Sequence, residues 1–105
     1  MAEKVKYITE ANFQQEISQG NVLVDFSAEW CGPCKALGPV LEKVATSVAG
    51  TATVVKLDID EAQQTAATFQ VTSVPTMILF KNGKESGRLV GLRDQNAIEK
   101  FILTT

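Results

Sequence analysis

Apolar residues in this chain fall into short unbroken runs and into spaced rows, and the two kinds alternate along its length. Val5 to Ile8 is a short candidate strand. Thr9 is placed to cap a first helix that ends by Gly20, with Phe13 and Ile17 on its inner face. Val22 to Phe26 reads as a strand buried on both faces, interrupted by one carboxylate, Asp25. From about Cys34 to Ala49 the apolar positions Leu37, Leu41, Val44 and Val48 are spaced 4, 3 and 4, the period of a helix. Gly50 suits the end of that helix. Pro39 falls inside it, so the pattern predicts a kink and a Lys35 carbonyl without its usual donor.

Thr53 to Ile59 is a second buried strand, again with one odd charge, Lys56. Asp60-Glu61-Ala62-Gln63 has the form of a capping box, opening a helix whose inner face carries Ala62, Ala66 and Phe69. Met77 to Phe80 and Leu89-Val90 flank Lys81-Asn82-Gly83-Lys84, and Asn-Gly between apolar runs signals a type I′ hairpin turn. Asp94 is placed to cap a last helix with Ile98, Phe101 and Ile102 inward. The order β-α-β-α-β-α-β-β-α predicts an α/β fold: a mixed sheet with helices on both faces.

At 105 residues the chain is expected to form a single domain over 1–105. An apolar share of 45% with 21% charge argues against disorder. The longest uninterrupted apolar run, Met77-Ile78-Leu79-Phe80, is far too short for a membrane-spanning helix. A net charge of −2 without a basic run argues against nucleic-acid binding. The absence of histidine removes the commonest general base and every Ser-His or Cys-His dyad. No apolar stretch follows Met1-Ala2-Glu3-Lys4, so no secretory signal is expected. With two cysteines, this points to a reducing cytoplasmic setting in which a thiol pair is catalytic or metal-binding more often than structural. Nothing calls for an obligate oligomer, and a monomer is expected.

Chemistry concentrates in Trp30-Cys31-Gly32-Pro33-Cys34, between a buried strand and the long helix. Cysteines three apart at a helix start lie on one turn of one face, close enough to join as an intramolecular disulfide. Cys31 stands where unpaired N–H groups and the positive end of the helix dipole favour a thiolate. Cys34, one turn inside, is expected to be the more buried sulfur. That asymmetry assigns Cys31 to attack a partner's disulfide and Cys34 to attack the resulting mixed disulfide and release the product. Pro33 is tolerated because a first-turn residue has no intrahelical N–H bond to lose. Zinc needs four ligands, and no histidine or third cysteine exists, so only a site shared between two copies would satisfy it.

Ala28-Glu29-Trp30-Cys31-Gly32-Pro33-Cys34-Lys35 resembles the active-site signature of the thioredoxin family. Asp25, Pro39, Lys56, Val74-Pro75-Thr76, Phe80-Lys81-Asn82-Gly83 and Gly91 match further, in the family's order. The resemblance implies a five-stranded sheet, its last two strands an antiparallel hairpin, flanked by four helices. It also implies roles for residues with ordinary structural explanations. Asp25, on its own a polar residue at a strand end, becomes a buried carboxylate that helps deprotonate Cys34, through water. Lys56, which in a strand ordinarily reaches for solvent, would stand near Asp25 if the two strands are neighbours. Cys31, Cys34, Asp25 and Lys56 are therefore the candidate catalytic residues. Pro75 is implied to be cis beside the cysteines, leaving the Val74 backbone free to pair with an extended substrate. Trp30, Gly32, Pro33, Val74, Pro75 and Gly91 would then form a small flat apolar surface around Cys31.

One departure stands out. Many family members carry an aromatic residue three positions before Trp30, where this chain has Ser27, and looser packing beneath the active-site loop is expected. The implied activity is protein-disulfide reduction: the two sulfurs hold the electrons, no bound cofactor is needed, and an NADPH-dependent thioredoxin reductase recharges them. Substrates are proteins with disulfides, and the cellular role is redox homeostasis. A disulfide-forming oxidase or an isomerase would use the same thiol–disulfide chemistry. A protein-binding clamp with incidental redox activity belongs to a different class, and cysteine substitutions separate it from a reductant.

Overall fold

The computed structural model describes residues 4–105. Five strands and four helices follow one another as β1 (Lys6–Ile8), α1 (Phe13–Ile17), β2 (Asn21–Ser27), α2 (Gly32–Ser47), β3 (Thr53–Asp58), α3 (Gln63–Thr68), β4 (Thr76–Lys81), β5 (Lys84–Val90) and α4 (Gln95–Thr104). The order expected from the hydrophobic pattern is the order found. The strands form one sheet in the spatial order β1-β3-β2-β4-β5. β3 runs parallel to both β1 and β2, whereas β4 is antiparallel to β2 and to β5. This is the mixed five-stranded sheet with four helices that the resemblance implied.

Alternation along the central strands sends side chains into two cores. Val22, Val24, Phe26, Val55, Ile78 and Phe80 meet Phe13 and Ile17 of α1 and Ala62 beside α3. There the rings of Phe13, Phe26, Phe69 and Phe80 pack with centroids 5.3–6.5 Å apart, tilted or edge-on as aromatic quadrupoles prefer. On the other face Leu23, Val54, Met77 and Leu79 meet Leu37, Leu41 and Val44 of α2 and Ile98 and Ile102 of α4. Asp25 and Lys56 share the parity of Leu23 and Val54, so both point toward the α2 side.

The hairpin turn matches its chemistry: Asn82 and Gly83 have φ of 51° and 86°, the positive pair a type I′ turn demands. Asp94 caps α4, accepting from the Ala97 backbone N–H at 2.8 Å. α2 runs unbroken through Pro39 and starts at Gly32, two residues before the first helical position in the apolar pattern.

Two helix starts differ from expectation. α1 begins at Phe13 instead of just after Thr9. Thr9 and Asn12 bond reciprocally, Thr9 N–H to Asn12 Oδ1 and Asn12 N–H to Thr9 Oγ1, which closes a turn and delays the helix. α3 begins at Gln63 with Ala62 at its cap, so Asp60 is not the capping residue. The donor in its first turn is satisfied from afar. Glu10 Oε2 accepts from the Thr65 backbone N–H at 2.6 Å and from Thr65 Oγ1 at 2.9 Å.

Candidate active site

β2 carries the chain through the middle of the sheet and releases it at Ser27, and α2 takes it up five residues later. Cys31 is the N-cap of α2, with φ −93° and ψ 115°, and Cys34 lies in the first turn. The two sulfurs are joined as a disulfide, with Cα atoms 5.2 Å apart. Cys31 Sγ accepts the Cys34 backbone N–H at 3.1 Å, so the sulfur takes the place of a capping hydroxyl or carboxylate. It also lies 3.7 Å from the Val74 carbonyl oxygen, within reach of a thiol S–H. The expected difference in burial is small: Cys31 is 5% exposed and Cys34 2%. What distinguishes the sulfurs is the helix-end N–H, which only Cys31 receives. Ala28, half-buried Ile59 and half-buried Val74 pack around the pair.

The surface around the sulfurs is assembled from the start of α2 with the residue before Cys31, the segment at Val74–Pro75 and the bend at Gly91. Trp30 is 68% exposed beside exposed Gly32 and Pro33. The Val74–Pro75 bond is cis. Pro75 itself is buried, so it contributes through its backbone while Val74 is half-buried. The Gly91 N–H donates to the Pro75 carbonyl at 2.8 Å, and Gly91 has φ +94°, a left-handed conformation that disfavours a side chain. This bond ties the end of β5 to the proline next to Cys31. Of the six residues expected at the surface, Gly32 and Pro33 lie in the first turn of α2 and the other four in the connecting segments; five are at least partly exposed and Pro75 is buried.

Sequence reasoning missed four contributors. Asp60 Oδ2 accepts from Trp30 Nε1 at 2.9 Å; the carboxylate read as a helix cap instead holds the indole. Ile59 packs against the cysteines. Val90 and Leu92, both about half exposed, add apolar area on either side of Gly91. An apolar pair bracketing a loop glycine was the available signal for the last two.

Asp25 is fully buried in β2, and neither of its carboxylate oxygens meets a hydrogen-bond partner. Burial pushes its carboxyl up from 3.8 to about 7, and the Lys56 charge opposes the rise. Lys56 is its direct neighbour in the β2–β3 register, and Tyr7 in β1 is the next residue along the same row. Lys56 also borders an open cleft of about 400 Å³ that reaches Cys34, with Ser27, Tyr7 and Asp58 in its walls. The small, buried Ser27 side chain thus stands beside open space beneath the active-site loop.

Among the described residues no group of three or more His, Cys, Asp or Glu could hold a metal ion. Among the same residues no helix is long and apolar enough to cross a membrane.

Comparison with known proteins agrees with this site. A sequence model of the family described as Thioredoxin matches residues 4–104. The chain is 51% identical to a thioredoxin of Chlamydia muridarum over 98 residues, 93% of this chain and 95% of that one. It is 50% identical to a thioredoxin of Mycobacterium tuberculosis over 93 residues, 87% of this chain and 80% of the other. Its backbone is similar to that of the N21Q mutant thioredoxin from Halobacterium salinarum, with a TM-score of 0.85 and 35% identity, over 97% of this chain and 91% of that one.

Proposed function

The chain belongs to the thioredoxin family of protein-disulfide oxidoreductases, and from that premise we propose that it works as a general protein-disulfide reductant, 1–105 acting as one domain. Dithiol–disulfide exchange is the family's chemistry, and the chain carries the cysteine pair for it. The observation that most supports the finer reading is the Cys34 N–H aimed at Cys31 Sγ at the start of α2. In the dithiol state that N–H and the helix dipole stabilise negative charge on Cys31.

The Cys31 thiolate attacks one sulfur of a substrate disulfide. A bond forms between Cys31 Sγ and that sulfur, and the other substrate sulfur leaves as a thiolate. Cys34, deprotonated, then attacks Cys31 Sγ, forming the intramolecular disulfide and expelling the second substrate thiolate. Both electrons of the broken Cys–substrate bond leave with the product, and the enzyme sulfurs are oxidised. Asp25 is the one buried carboxylate among the described residues and faces α2, and we assign it the Cys34 proton, relayed by water; Lys56 moderates its charge. The surface formed by Trp30, Gly32, Pro33, Val74, Pro75 and Gly91 receives the substrate segment, with the Val74 backbone available for pairing to an extended chain.

Recharging requires a two-electron donor, which we assign to an NADPH-dependent thioredoxin reductase. The chain then serves cytoplasmic redox homeostasis as a monomer, with no cofactor of its own. NADPH-coupled reduction of a model protein disulfide in the presence of a thioredoxin reductase tests this. Turnover that needs both cysteines supports it. Equal binding of partners by a Cys31→Ser, Cys34→Ser double variant, without reductase-dependent turnover in the unsubstituted protein, replaces it with the clamp.

A further inference from the structure

Lys56 occupies a slot with an aromatic wall. Its register neighbours are Asp25 on the β2 side and Tyr7 on the β1 side. The ammonium lies 5.6 Å from the centroid of the Tyr7 ring, within the range at which a cation is drawn to a π face. On the helix side the slot is closed by Gly38, where an added Cβ would stand 3.6 Å from Nζ. Tyr7 and Lys56 together separate the cleft that reaches Cys34 from an adjoining one of about 310 Å³ beside Glu42. Tyr7 is 66% exposed, so its ring contributes little to the core.

We propose that Tyr7 is a positioning residue for the exchange reaction: its ring holds the Lys56 ammonium in the slot beside Asp25 and away from the acids that line the two clefts. The inference rests on the assignment of Asp25 as the acceptor of the Cys34 proton.

The competition is visible in the charges around the slot. Asp25 faces Lys56 from β2, Glu29 from the loop after β2, Asp58 from β3, and Lys35 and Glu42 from α2. Three of these acids line the two clefts: Glu29 is exposed, and half-buried Asp58 and Glu42 accept backbone N–H groups, Asp58 from Asp60 and Glu42 from Lys4 and Val5. A lysine stem is flexible and its head strongly hydrated, so without a wall it turns toward solvent and those acids. The ring removes that exit on the β1 side. Because Lys56 favours the charged form of Asp25, a Lys56 that swings outward leaves the buried carboxylate harder to ionise.

The test is the titration of the Asp25 side-chain carboxyl carbon by NMR in the dithiol protein. Tyr7→Leu and Tyr7→Phe are compared, each with Lys56 present and in a Lys56→Met background. Tyr7→Leu is expected to raise the Asp25 midpoint by about half a pH unit, the size of one exposed cation–π contact. Tyr7→Phe, which keeps the ring, matches the unsubstituted protein. With Lys56→Met, Tyr7→Leu moves the midpoint no further. A midpoint indifferent to Tyr7→Leu, or displaced equally without the lysine, overturns the proposal. Turnover of the unsubstituted protein with its reductase decides the functional reading separately, so either can fail alone.

Discussion

Asp25 and Lys56 are direct partners across the β2–β3 ladder, both facing α2, yet neither oxygen of Asp25 accepts a hydrogen bond. The pair is close enough for the lysine to pull on the carboxylate's ionisation and not close enough to neutralise it. Among the described residues the ion pairs within 4.0 Å are Lys6–Glu16 and Arg88–Glu85, both at the surface. The consequence is a carboxyl that titrates near neutrality inside a packed sheet.

Stability therefore depends on pH in a defined direction. Asp25 titrates at about 7 in the folded chain against 3.8 ordinarily, so the folded state binds its proton more tightly than the unfolded state does. The associated stability is complete below about pH 4 and is lost as pH rises through about 7, a span worth roughly 4 kcal/mol. Asp25→Asn removes this dependence. Denaturant unfolding at pH 4 and pH 8 is expected to show the variant gaining on the unsubstituted protein by a few kcal/mol between the two. Parallel pH profiles for the two proteins contradict the raised titration.

The same substitution separates folding from chemistry. Asp25→Asn is expected to keep the sheet while Cys34 loses the proton acceptor we assign to it. Single-turnover release of a Cys31-linked mixed disulfide is expected to slow by about two orders of magnitude near neutral pH, the low end for loss of a general base. Its rise through about pH 7, present in the unsubstituted protein, should vanish. Unchanged resolution rates from pH 6 to 9 remove Asp25 from the reaction.

The two cysteines should fail differently. Cys34→Ser leaves the attacking sulfur and its N–H donor in place, so it accumulates protein–protein disulfides through Cys31. Cys31→Ser forms few, because Cys34 lacks that donor and is 2% exposed. Non-reducing electrophoresis after mixing with a disulfide-bonded protein distinguishes them. Equal trapping by both variants contradicts the assigned order of attack.

Trp30 is the only tryptophan, exposed and held through its Nε1 by Asp60. Its emission should change when the adjacent sulfurs pass between dithiol and disulfide. Asp60→Ala releases the indole, and fluorescence anisotropy decay should show faster local motion while disulfide reduction continues.

Glu10 tests a structural finding. It satisfies the first-turn N–H of Thr65 from 55 residues away. Glu10→Ala should cost about 1 kcal/mol, in the range measured for helix caps, and Glu10→Gln less. Thermal or denaturant unfolding at neutral pH reads the difference.

Much of this fold was legible because its local signals agree. The 4-3-4 spacing in α2, Asn82-Gly83 at the hairpin and Asp94 before α4 each specify one backbone solution. The errors came from polar side chains with two possible employers. Thr9 and Asn12 bond each other before a helix can start, and Asp60 serves a distant indole while Glu10 performs the capping. Those choices depend on which loops meet in space, and periodicity carries no such information. Asp25 and Lys56 stood out as charges in apolar strands, but their pairing depends on β3 lying beside β2, a crossover no local pattern announces. Tyr7 drew no attention for the same reason: an exposed aromatic gains meaning only from the cation beside it.

The 5.2 Å between the Cα atoms of Cys31 and Cys34 is also close to what the first turn of any α-helix imposes on residues three apart, about 5 Å from its rise and radius. Joining or opening the pair thus asks little travel of the main chain. A molecule built this way can pass between donor and acceptor with little refitting of its scaffold at either end.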